Sequence, residues 1–127
     1  MAVRLLVVAV GGALGSVLRY LTSLAGARLF GPAFPAGTLA VNLVGCFLAG
    51  LLFALVDQRG LFSPVTRLLL LTGFLGGLTT FSTFALDTTN LLRAGSWSLG
   101  LANFFTNVVG GLTLAMAGVI LVRVLAR

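Results

Sequence analysis

The chain has 127 residues, 59% of them hydrophobic, and a mean hydropathy of +1.18. Charge is confined to eight arginines and two aspartates, net +6, with no lysine, glutamate or histidine. A soluble domain carries about a quarter charged residues, so a water-facing globular surface is excluded. The lack of histidine excludes Ser-His, Cys-His and histidine-metal chemistry.

The sequence reads as a single four-helix transmembrane domain over residues 1–127, because a bilayer core takes roughly 20 apolar residues per helix and four stretches qualify. The first runs from Ala2 to about Leu29, with Arg19 and Tyr20 towards its far end. It resembles a signal peptide at its start, but similar spans follow to the C-terminus, so it serves more simply as the first membrane helix. The turn Gly31 to Gly37 (GPAFPAG) ends it through two prolines and flanking glycines. The second runs from Thr38 to Val56 and stops at Asp57-Gln58-Arg59-Gly60. The third begins after Pro64, a good first-turn residue, and reaches about Leu92, where Arg93-Ala94-Gly95-Ser96 closes it. The fourth runs from Trp97 to Leu125 and leaves Arg127 at the exit. Short loops make neighbouring helices antiparallel. The arginines (Arg4, Arg19, Arg28, Arg59, Arg67, Arg93, Arg123, Arg127) are single and scattered, so no basic stripe forms and nucleic acid is not a partner. Cys46, alone in an apolar span, is a small hydrophobe.

The third span is longer than one crossing needs and contains GFLGGLTTFSTF, Gly73 to Phe84. Three glycines and four hydroxyl residues at bilayer depth predict a break, placed at Gly76-Gly77. Broken backbone inside a membrane persists only where protein buries it or water lines it, so this segment is the candidate functional centre. Either Thr79 or Thr80 is positioned to cap the second half-helix, whose positive dipole end favours an anion. Carbonyls freed at Gly76 to Thr79 suit a cation instead. Phe81 and Phe84 share a helical face. They are ordinary packing residues or, with their positive ring edges beside Ser82 and Thr83, an anion lining.

Other polar residues carry similar alternatives. Asn42 lies on one face with Thr38, and Asn103 with Asn107; each asparagine is interhelical glue or an anion donor. Arg19 lies about 25 Å along the first helix and is either a snorkelling anchor or a vestibule charge that concentrates anions. With no intramembrane carboxylate evident, anion traffic is favoured over cation traffic. The pairs Gly11/Gly15, Gly45/Ala49, Gly73/Gly77 and Gly111/Ala115 predict a tightly packed bundle. Four such helices scarcely enclose a hydrated pathway alone, so an oligomer is expected.

Taken together, GALGSVLRY (Gly12 to Tyr20), GTLAVNLVGCFLAG (Gly37 to Gly50) and GFLGGLTTFSTF resemble the Fluc/CrcB family of fluoride channels over essentially the whole chain. The resemblance implies an all-α membrane protein of four transmembrane helices with a broken third helix, paired as an antiparallel, dual-topology homodimer with two pores. It implies passive, fluoride-selective conduction across the inner (plasma) membrane of a prokaryote, in a multi-pass protein. Asn42 is then expected to hydrogen-bond fluoride, with Phe81 and Phe84 lining the path and Thr38, Ser82 and Thr83 in its polar lining. Carbonyls of Gly76 and Thr79 from both subunits are expected to hold a structural sodium ion, and Arg19 matches the arginine of the family's first helix. Where the family often has tyrosine and serine, this chain has Asn103 and Asn107, which preserve a hydrogen-bonding track. Arg4, Arg59, Arg67, Arg123 and Arg127 outnumber Arg28 and Arg93 on the opposite side, which by the positive-inside rule favours cytoplasmic termini, whereas dual topology calls for balance. Hydrogen fluoride crosses membranes and ionises in a near-neutral cytoplasm, and a potential negative inside drives the anion outward with about 2.3 kcal/mol per 100 mV. A small multidrug-type exchanger is the alternative, but it needs an embedded carboxylate. A non-conducting scaffold leaves the Gly-Thr-Phe segment unexplained.

Overall fold

The computed structural model describes residues 1–125, apart from the side chains of residues 58 and 59. Each apolar stretch is helical: α1 (Ala2–Phe30), α2 (Ala36–Arg59), α3 (residues 64–78), α4 (Phe81–Arg93) and α5 (Trp97–Leu125). Helices α3 and α4 together form the third span, Pro64–Arg93, so the described residues form four helical spans long and apolar enough to cross a membrane. At about 1.5 Å per residue, the 29 residues of α1 exceed the roughly 30 Å hydrocarbon core.

Local signals set the ends. Gly60 takes a left-handed conformation (φ 58°) and its N–H donates to the Val56 carbonyl at 3.1 Å. The Ser63 hydroxyl accepts from the Thr66 amide at 3.2 Å, and Pro64 occupies the first turn of α3. Two stretches are wound wider than an α-helix, Leu68–Leu75 in α3 and Thr106–Gly110 in α5. Nothing in the residue periodicity announces either.

Glycine sets the helix spacing. A β-carbon at Gly11 would lie 2.5 Å from the Leu69 carbonyl oxygen and one at Gly15 2.7 Å from the Leu78 nitrogen, so α1 and α3 meet backbone to backbone. Helices α2 and α5 do the same: a β-carbon at Gly118 would stand 2.7 Å from the Leu51 nitrogen, and one at Gly50 would collide with the Ala115 carbonyl. Such approach maximises dispersion contact where lipid removes the hydrophobic drive between helices. The buried side chains are few, with Val41, Leu75 and Leu78 at their centre.

The break falls at Thr79–Thr80, not at Gly76-Gly77. Gly76–Leu78 is still helical, whereas Thr79 (φ −82°, ψ 154°) and Thr80 (φ −152°, ψ 117°) are extended. The reason is packing. A β-carbon at Gly77 would strike Gly12 of α1, so that glycine serves close approach within a helix, and the β-branched threonines take the extended conformation they favour.

Candidate functional site

Thr80 organises the break. Its hydroxyl accepts from the Thr83 amide at 3.2 Å and donates to the Thr83 hydroxyl at 3.0 Å, capping the 13-residue α4. Of the two threonines offered by the sequence, Thr80 is therefore the cap. Its own backbone is held by α2: the Thr80 N–H donates to Asn42 Oδ1 at 2.8 Å, and Asn42 Nδ2 donates to the Thr80 carbonyl at 3.1 Å. Asn42 thus receives, from a neighbouring helix, the Thr80 N–H that the break deprives of a helical acceptor, and it adds a second bond to the Thr80 carbonyl.

Those two bonds fix which way the Asn42 amide faces, and the assignment propagates. Asn42 Nδ2 also donates to Asn107 Oδ1 at 2.8 Å, and Asn107 Nδ2 donates to the Asn103 carbonyl at 2.9 Å and to Asn103 Oδ1 at 3.1 Å. Asn103, with no exposed surface, donates to the Thr88 hydroxyl at 2.9 Å, which donates to the Phe84 carbonyl at 2.8 Å. The result is a directed polar chain from the break in the third span to the α4–α5 contact.

A cavity of about 390 Å³ adjoins this chain and is bounded by Asn42, Thr79, Thr80, Phe81, Phe84 and Asn107 among others. Phe81 and Phe84 meet edge to face, centroids 5.5 Å apart and planes at 65°. Phe84 is buried at 5% exposure while Phe81 is 78% exposed, although it sits at the break. A larger cavity of about 690 Å³ lies under the Gly31 to Ala36 turn, bordered by Ser23, Thr38, Thr83, Asp87 and Asn90 among others. Thr80 faces the smaller cavity and Thr83 the larger, so their hydroxyl pair stands between the two.

The structure therefore gathers Asn42, Phe81, Phe84 and Asn107 around one cavity and puts Thr38 and Thr83 on the other. Ser82 is exposed at the head of α4, 3.4 Å from the Thr80 hydroxyl, and Asn103 is sealed behind Asn107. Arg19 is half-buried and its Nε donates to the Gly77 carbonyl at 3.1 Å. That contact with the backbone just before the break is one that neither sequence reading of Arg19 contained. Thr80 as the anchored residue and Thr88 as the terminus of the chain were also missed. The spacing of Thr88 four residues after Phe84 was the one local hint. Among the described residues, no group of three or more metal-ligating side chains exists.

Fold and site define a four-span helical membrane protein whose third span is interrupted at a threonine-capped, asparagine-clamped turn. The family described as CrcB-like protein, Camphor Resistance (CrcB), matches residues 6–119. The chain belongs to this family. It is 50% identical, over 98% of its length and 99% of the relative's, to a protein of Rhizobium leguminosarum bv. trifolii named fluoride-specific ion channel FluC. Proteins of the same name from Magnetococcus marinus (48% identity; 93% of this chain, 96% of the relative) and Leptospira interrogans serovar copenhageni (44%; 94% of each) are also similar.

Proposed function

We infer that this protein is a fluoride-specific ion channel, conducting passively across the cell membrane, and not an enzyme. The observation that carries the reading is full-length similarity to proteins of that name, in a chain whose break brings amide, hydroxyl and ring-edge groups around one cavity. Asn42 supplies a hydrogen-bond donor, and Phe81 and Phe84 offer ring edges that partly replace hydration. Ser82 and Thr83, with Thr38, form the polar approach at the head of α4, Asn107 continues the track along α5 with Asn103 holding it from behind, and Arg19 holds positive charge against the backbone just before the break. A narrow passage of amides, hydroxyls and ring edges rejects larger, more weakly hydrated anions such as chloride.

The working unit in this reading is an antiparallel, dual-topology homodimer of single four-helix domains with two pores, in the plasma membrane of a prokaryote. Support comes from Phe81, a pathway residue with 78% of its surface uncovered in one copy. A sodium ion at the dimer centre fits the backbone. In an unbroken helix the Thr80 amide would close onto Gly76 O and the Thr83 amide onto Thr79 O. Here those amides donate to Asn42 Oδ1 and to the Thr80 hydroxyl, leaving both carbonyls without their helical donors. Gly76 is exposed, and unwound carbonyls of this kind suit sodium. The ion would supply charge to hold two breaks together.

The test is efflux from liposomes holding the purified protein, fluoride against chloride, with valinomycin setting the potential. Fluoride loss without chloride loss and without a proton gradient is expected. A requirement for a proton gradient would establish a coupled carrier, and no flux from folded protein would establish a scaffold.

A further inference from the structure

We propose that Asn107 is a specificity-determining competitor: its side-chain carbonyl occupies the place a permeating anion takes on Asn42. The inference rests on the reading of Asn42 as the fluoride donor. Asn42 has two amide hydrogens, and both are engaged, one by the Thr80 carbonyl and one by Asn107 Oδ1. An anion entering the adjoining cavity must displace one of these acceptors.

The two acceptors are not equally replaceable. Thr80 is held to Asn42 at two points, through its N–H as well as its carbonyl, and its hydroxyl is committed to capping α4. Removing the Thr80 carbonyl would loosen the clamp that fixes the break. Asn107 Oδ1 makes a single contact with Asn42, from one side chain to another. Asn107 also borders the cavity that Asn42, Phe81 and Phe84 border, so its oxygen already lies on the wall an anion would approach. When an anion takes that hydrogen, Asn107 remains tethered through its own Nδ2 to Asn103, which is wholly buried and anchored on Thr88. The displaced carbonyl therefore has a fixed pivot and can return when the ion leaves.

This arrangement keeps the Asn42 donor satisfied between ions, since an unpaired amide in a dry site is costly. It also sets a threshold, because an ion has to outcompete a neutral carbonyl. Small anions with concentrated charge make the stronger hydrogen bond and pass the threshold, while diffuse ones fall below it. A serine at this position is too short to span the same gap, so the competitor belongs to an asparagine at 107.

The experiment measures potassium fluoride flux against fluoride concentration in liposomes for the wild-type protein, Asn107→Leu and Asn107→Ser, with Asn42→Leu as a separate arm. Removing the competitor should lower the half-saturating fluoride concentration about threefold, the equivalent of one interhelical hydrogen bond in a membrane. An unchanged or raised value in both Asn107 variants, with Asn42→Leu inactive, would overturn the competitor while leaving the Asn42 reading intact. Normal flux in Asn42→Leu would instead overturn the Asn42 reading on which it rests. Should neither Asn107 variant fold, the wild-type protein answers directly. In detergent-solubilised, 15N-asparagine-labelled protein, fluoride should shift the side-chain amide resonances of Asn42 and Asn107 together, at one midpoint. A shift of Asn42 with Asn107 stationary would reject the exchange.

Discussion

At the scale of single residues, one amide does two jobs in this molecule. Asn42 accepts the Thr80 N–H that has lost its helical partner and gives its second amide hydrogen to Asn107 Oδ1 on the cavity wall. Asn42→Asp keeps the acceptor that takes the Thr80 N–H but loses the donor, placing an anion beside the Thr80 carbonyl. Fluoride flux in the liposome assay should fall below detection. The cap is separable from the clamp. Thr80→Val removes the oxygen that receives the Thr83 amide and should cost about 1 kcal/mol, read as a lowered midpoint of thermal unfolding in detergent, while Thr80→Ser stays close to wild type. The two phenylalanines should also part company. Phe84→Ile strips packing from a buried ring as well as a ring edge, so both stability and flux fall. Phe81→Ile, at an exposed ring, should reduce flux with little change in the stability of the single copy. Normal flux in both would eliminate the ring edges from the pathway.

At the scale of elements, adjacent glycines have opposite assignments. Gly77 is pressed against Gly12 of α1, whereas the nearest atom to a β-carbon at Gly76 is the Leu71 carbonyl oxygen at 3.8 Å. Gly77→Ala should therefore destabilise by about 1–3 kcal/mol through overpacking, while Gly76→Ala folds normally, a contrast visible in paired thermal unfolding. The same comparison explains what the sequence could and could not disclose about this span. Its length, its proline start and a threonine cap followed from local rules, as did the glycine faces Gly11/Gly15 and Gly73/Gly77. The position of the break did not, because glycine reads equally as a helix breaker and as a close-packing surface, and only the location of α1 decides between them. The polar chain was illegible for a related reason. Asn42, Thr80 and Asn107 are brought together from three spans, 38 and 65 positions apart, and no spacing rule reaches that far. Arg19 was recognised as out of place in an apolar helix, yet its partner is a backbone carbonyl, which any residue could provide.

At the scale of the whole molecule, the proposed assembly makes its own predictions. Removing sodium by dialysis should weaken subunit association and flux together, while a protein that assembles and conducts equally without it would eliminate the central ion. The arginine bias bears on orientation. Arg4, Arg67 and Arg123 lie near the ends of spans on the side of the termini and Arg28 and Arg93 on the other. Arg127 lies outside the described residues, as does the side chain of Arg59. A tag at the N-terminus should nevertheless be labelled by an impermeant reagent from both sides of the membrane in comparable amounts; labelling from one side alone would reject dual topology.

The backbone-to-backbone seams also have a consequence for how the chain is made. Gly11 and Gly15 of the first span await the third, and Gly50 of the second awaits Gly118 of the last. Spans that leave the ribosome in order therefore do not meet their closest neighbours in order. The second span has to reside in lipid with its most intimate surface open until the final span arrives. A chain stalled before Trp97 would carry that surface unsatisfied, together with an Asn42 amide that has lost Asn107 as a partner. The arrival of the last span is therefore the step that closes the second span's seam and completes the bundle.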